Sequence, residues 1–282
     1  GFDYRDEFFR VHDPYSRDRV RVLLSIDTEK TDLQQGPGYG KLERADNDFA
    51  LAWVRGYGRG RAFYCGFAHN PAVFWDPKML EFYLAATQFA LGDMAGPTTP
   101  SAKLTPAVRA QEQLNWRLNL VASTEPTLFD AIDKAAKLGA LYVGGNNRQK
   151  VSRDIPKDFD GAISSDDMRQ IRLKLDAAGV RLLTYHVDSM SSNDADRAKI
   201  VEFARTMGVE AIVTRDGNLP VDGEPIRIVA LDNTVRDNRI DSFLDATYRQ
   251  SRVPTILCVD SAGDGLTQRI EAFNEATIRF AK

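Results

Sequence analysis

From Trp116 to Lys282 the chain alternates short apolar runs with longer amphipathic ones, and this alternation limits its folds more than any other feature. WRLNLVA, ALYVGG, RLLTYHVD, EAIVTRDG, IRIVALDN and PTILCVD are strand-length runs rich in β-branched residues. Between them lie LFDAIDKAAKLG, SSDDMRQIRLKLDAAG, DADRAKIVEFARTMG and DSFLDATYRQ, and TQRIEAFNEATIRFAK closes the chain, all with helical spacing. Thr124 reads as the cap of the first helix, with Pro126 in its first turn. Asp166 and Asp167 open the second, where the helix dipole favours acidic groups. Strand and helix in steady succession imply a parallel sheet covered by helices, either a barrel or a doubly wound sheet. Six strands fall short of the eight of a complete barrel.

The segment before residue 94 has a different grammar. VRVLLSID, FALAWVRGYG and RAFYCGFA read as strands, the last two joined across Gly56, Gly58 and Gly60 in a hairpin-like connection. PKMLEFYLAATQFALGD then carries apolar residues at helical spacing, with Pro77 suited to its first turn and Gly92 to its end. GDMAGPTTPSAKLTPAVRAQEQ is rich in Pro, Thr, Ala and Gly without a sustained period and reads as a linker. The expected organisation is therefore a domain over 1–93, a linker over 94–113 and a second domain over 114–282.

Composition narrows the function. Among 282 residues, 43% are hydrophobic and 27% charged, which suits a globular protein with sizeable cores. A formal charge of −3 lacks the basic footprint of phosphate recognition, so no nucleic-acid partner is expected. No apolar run reaches the roughly 20 residues of a membrane span, so no membrane partner is expected. Cys65 and Cys258 lie in strand-like runs and read as buried free thiols. The sequence begins at Gly1 rather than Met and shows no signal peptide. On this reading its natural start lies upstream, and the compartment stays open between cytoplasmic and exported.

Two resemblances are visible at the level of motifs. RDE at Arg5–Glu7, LLSID, AWVRGYGRGRAFYCGFAHN and the helix ending FALGD resemble the C-terminal half of a ThuA-like, or trehalose-utilisation, domain; the family's N-terminal strands have no counterpart here. WRLNLVA, FDAIDKAAKLGA, LYVGG, LDAAGVRLLTYHV and IVEFARTMGVEAIV resemble the first four β/α units of the sugar phosphate isomerase/epimerase, xylose-isomerase-like barrels. The resemblance implies an α/β protein: a partial glutamine-amidotransferase-like (flavodoxin-like) domain followed by a shortened TIM-barrel-like β/α domain. It also implies carbohydrate catabolism, with a small-molecule sugar or keto-sugar as substrate and isomerase, epimerase or hydrolase chemistry. The alternative is a degenerate carbohydrate-binding or assembly protein, because the second strand ends in Gly144-Gly145-Asn146-Asn147 without the family's acidic metal ligand.

The candidate site residues follow strand ends. His69, after RAFYCGFA, has acid/base capacity at neutral pH, and Asn70 and Trp75 beside it suit hydroxyl binding and stacking on a sugar ring. The bland alternative is a His that fixes its own loop. His186 and Asp188 share one face of a strand end, as an acid/base pair or as a polar end tied by local bonds. Asn119, Asn146, Asn147 and Tyr185 are candidate sugar-binding groups. Asp216, Asp232 and Asp260, at C-terminal strand ends, are candidate ligands for Mn²⁺ or Mg²⁺. GGNNRQKVSRD is either a cradle for phosphate or sugar or a long loop; it lacks P-loop spacing. His12 reads as a turn residue and Arg5–Glu7 as a structural ion pair. An incomplete barrel leaves open sheet edges, so a homo-oligomer is expected.

Overall fold

The computed structural model describes residues 3–9, 11, 14–32, 44–58, 60–214, 227–231 (as backbone), 242, 244–246, 249, 254–262 and 264–282. These form two compact units that divide between Ala102 and Lys103.

The first unit is an antiparallel meander, β1 (Arg21–Ser25), β2 (Ala50–Tyr57) and β3 (Gly60–Cys65), followed by α1 (Pro71–Phe74) and α2 (Pro77–Leu91). Ala50, Ala52 and Val54 alternate along β2 as its buried face, the period expected of a half-covered strand. The β2–β3 turn has Gly58 at φ 54°, a left-handed position that glycine enters without steric cost. Asp76 caps α2 by accepting from Lys78 N, Pro77 follows it, and Gly92 ends the helix at φ 97°. Phe82 of α2 packs edge-on against Phe63 of β3, with centroids 5.6 Å apart.

The second unit opens with α3 (Pro106–Leu114), inside the segment expected to be a linker. Thr105 caps it by accepting from Val108 N, Pro106 occupies its first turn, and buried Ala107, Val108 and Ala110 give it a face to pack. The wholly irregular reading of residues 94–113 is thereby corrected: nine residues are too short for their periodicity to stand out among Pro and Thr.

Then come β4 (Trp116–Val121), α4 (Leu128–Lys137), β5 (Tyr142–Asn146), α5 (Ser165–Ala178), β6 (Arg181–Val187), α6 (Asp194–Met207), β7 (Ala211–Thr214), β8 (Arg227–Leu231), β9 (Thr255–Asp260) and α7 (Leu266–Phe280). The α4 cap is Thr127 rather than Thr124: its hydroxyl accepts from Asp130 N and donates to Asp130 Oδ2. Thr124 instead binds Ser261 Oγ.

The six strands are all parallel, in the order β7-β6-β5-β4-β9-β8. Strands β4 to β7 step one way, and β8 and β9 enter on the other side of β4 and step the same way. Right-handed crossovers that never reverse put their helices on one face. Trp116 stacks on Phe273 of α7, and Leu120, Val143, Leu182 and Val187 pack with α4, α5 and α6 on that same face.

The opposite face closes on itself. Arg117 of β4 is ion-paired to Glu210 at the start of β7, and Arg181 Nη2 reaches Glu210 Oε1 at 3.5 Å. In a flat sheet β4 and β7 would stand about 14 Å apart, three spacings of roughly 4.8 Å, so the Arg117–Glu210 pair fits a sheet that curls, while Arg181 lies on β6, the neighbour of β7. The α/β expectation holds at this level: a curled parallel sheet with helices outside, and a separate antiparallel sheet. Both cysteines are free.

Candidate functional site

The curl gathers polar side chains on the inward face of the second unit. Asn119, at mid-strand in β4, is fully buried. Its Nδ2 donates to Thr184 Oγ1 on β6 at 2.9 Å and to Cys258 Sγ on β9 at 3.6 Å. Thr184 Oγ1 lies 2.9 Å from His186 Nε2. Between β4 and β6 runs β5, whose Gly144 offers no side chain. A Cβ there would stand 2.5 Å from Thr184 Oγ1, 2.9 Å from His186 Nε2 and 3.1 Å from Asn119 Nδ2. Gly145 does the same on the other face, where a Cβ would meet the Phe159 ring at 2.6 Å. The Gly-Gly pair thus makes room for side chains on both sides of β5.

Burial sets the histidine's charge. Burial pushes the His186 imidazole down to about 4, with the Asp260 charge opposing, so the ring is neutral at pH 7. Thr184, fully buried, accepts from Asn119, and its hydroxyl pairs with His186 Nε2, while the neutral ring carries a single N–H. Asn119 Oδ1 is a buried acceptor without a partner among the described residues. At the C-terminal end of β9, Asp260 Oδ1 accepts from Ser123 Oγ at 2.5 Å and from Ala262 N at 2.9 Å. Burial raises the Cys258 thiol to about 11, with the Asn119 bond opposing, so it is an un-ionised wall of the site.

Other expected residues are placed at its margin or elsewhere. Asp188 pairs with Arg148 Nε at 2.7 Å, and Asn146 Oδ1 accepts from Arg148 N at 2.8 Å, so one arginine ties together the ends of β5 and β6. Tyr185 faces the helices, with its hydroxyl donating to Phe159 O at 3.0 Å and its ring against Phe159 and Phe203. Asn147 lies with Tyr185 along the helix-side wall. The structure does not bring these two together with His186, because neighbouring residues of a strand point to opposite faces. That alternation, counted from His186, also finds Thr184. Nothing local marks Ser123, and the Gly-Gly pair marks Gly144 without showing its role, which depends on strands far away in sequence.

Asp216 and Asp232 lie outside the described residues, as does His12. Among the described residues no group of three His, Cys, Asp or Glu side chains is placed to hold a metal ion, and Asp260 is engaged by Ser123 and Ala262. No helix among them is long and apolar enough to cross a membrane.

In the first unit, His69 Nδ1 is 2.7 Å from Glu7 Oε2, so Glu7 partners His69 across the loop. Asp6 anchors that loop by accepting from Ala68 N (2.7 Å), His69 N (3.0 Å) and Asn70 N (2.8 Å). Asn70 caps α1 through Ala72 N, and Trp75 is two-thirds exposed with its ring edge-on to Phe74. Sequence reasoning passed over Asp6, whose three acceptor bonds are the reason the loop holds its shape.

The chain matches no known family model and no curated protein.

Proposed function

We propose that this is a carbohydrate-catabolism protein that takes a sugar or keto-sugar at the inward face of the second unit. One observation carries the reading: a neutral His186, held by Thr184 and Asn119, stands where a curled parallel sheet ends at Asp260. Parallel sheets of this kind bind ligands at the C-terminal ends of their strands. A neutral imidazole N–H is a donor to a carbonyl or hydroxyl oxygen and polarises a carbonyl without an ion's desolvation cost. Asn119 Oδ1 supplies the complementary acceptor for a hydroxyl. In isomerase or epimerase chemistry, His186 would polarise the keto oxygen while a carboxylate at the rim takes the proton on the adjacent carbon.

The test is solvent exchange. Wild-type protein and a His186→Leu variant are incubated with ketoses and aldoses in D₂O, with and without Mn²⁺ or Mg²⁺. The proposal expects deuterium at the carbon next to the carbonyl with the wild type, and at least about a hundredfold less with the variant, the usual size of one acid/base group. Saturable sugar binding without exchange would replace it with a binding protein. Neither binding nor exchange would overturn it.

A further inference from the structure

On the helix side of the second unit, α5 and α6 flank a groove of about 790 Å³. Its wall is apolar: Met168 of α5, Tyr185 and Val187 of β6, and Ile200 and Phe203 of α6. Its charged groups are three carboxylates, Asp160, Asp196 and Glu202, and one ammonium, Lys199, so the lining is net negative. Asn147 presents an Oδ1 that is buried and has no partner among the described residues. Asp160 and Glu202 line the groove with no cationic partner among the described residues, while the groove's Lys199 is taken by Asp196 at 3.0 Å. Burial raises the Tyr185 hydroxyl and the Asp160 charge raises it further, which places that carboxylate near the aromatic floor.

A volume of several hundred Å³ with an apolar wall and a few converging polar groups is the usual form of a small-molecule site. Here the lining is net negative, with its one ammonium, Lys199, paired to Asp196, so it favours an occupant that brings donors and positive charge. We propose that this groove binds an organic cation, an amine on an aromatic or aliphatic body. The body lies on Tyr185 and Phe203, where ring faces also attract a cation, and the ammonium donates to Asn147 Oδ1 and to the Asp160 and Glu202 carboxylates. The groove shares no side chain with the Asn119–Thr184–His186 network, so this proposal and the sugar reading stand or fall separately.

The probe is 2-phenylethylamine, with 2-phenylethanol as its uncharged counterpart, each titrated into the whole chain and followed by ¹H–¹⁵N correlation spectra. The amine is expected to shift amides of residues 160–162 and 195–206 and to bind about tenfold more tightly than the alcohol. The double variant Asp160→Asn/Glu202→Gln should lower amine affinity about tenfold and leave the alcohol unchanged. Ala198→Trp, at an exposed groove position, should abolish binding of both while the remaining spectrum stays that of the folded protein. Equal binding of amine and alcohol, shifts confined to other residues, or no shifts with the amine would overturn the proposal.

Discussion

The Asn119 amide and the Thr184 hydroxyl meet at 2.9 Å although their strands, β4 and β6, are not neighbours. The strand between them carries Gly144 at the point of crossing, and the hydrogen bond passes over a residue with no side chain.

Gly144→Ala is therefore expected to destabilise the second unit by about 1–3 kcal/mol, the usual range for overfilling a packed site. The new methyl meets Thr184 and Asn119, which are fixed by their own bonds, and it displaces the His186 ring. Urea unfolding of the variant against the wild type measures the loss. A variant as stable as the wild type would show that the three side chains can move apart freely.

The His186 shift makes the second unit acid-sensitive in a defined window. The folded value of about 4 lies below the ordinary His value of 6.5, so between these pH values the unfolded chain binds more protons than the folded one. Stability then rises with pH across that window, is complete above about 6.5, and falls on acidification by an amount on the order of 3 kcal/mol. Unfolding free energies at pH 4 and pH 7 should show this slope in the wild type. His186→Gln should lack that part of it, since glutamine does not titrate.

Asp6→Ala removes one carboxylate from three backbone donors at once. Ala68 sits at φ 71°, a left-handed conformation that costs a residue with a Cβ about 1–2 kcal/mol, and Asp6 bonds its N–H and the next two. Amide hydrogen exchange at residues 68–70 should accelerate by about tenfold or more, matching a loss of about 1–3 kcal/mol. Unchanged exchange would mean that the loop holds itself.

Glu210→Ala tests the curl. It leaves Arg117 and Arg181 facing each other at the N-terminal end of the sheet without their shared carboxylate. With these side chains only partly exposed, a cost of about 1–3 kcal/mol is expected. Glu210→Gln keeps the shape and removes the charge, so the difference between the two variants in a thermal melt separates packing from ion pairing.

Much of this architecture is legible along the chain because its signals are local. Alternation in RLLTYHV marks β6 and the face of His186, Pro77 and Gly92 bound α2, and the acidic first turn marks α5, where Ser164 and Asp167 close a capping box. The margins are less legible. The cap expected at Thr124 falls at Thr127, because the path of the chain into α4 decides which hydroxyl meets the free N–H groups. Asn147 and Tyr185 have the right chemistry for a sugar site but lie on the helix side; for Tyr185, strand alternation from His186 already implies it.

The sequence by itself determined most of the elements and their order, because helix and strand periodicity and end-capping act within a few residues; the short helices α1 and α3 escaped it. Only the tertiary structure decided which polar groups meet. Asn119, Gly144, Thr184, His186 and Cys258 come from four strands and span 139 positions between Asn119 and Cys258. Their contacts depend on sheet order and curl, and those are set by helices packing on one face and by side-chain volume on the other. The same holds for Asp6 and the loop at His69, joined across 62–64 positions by hydrogen bonds that no local pattern encodes.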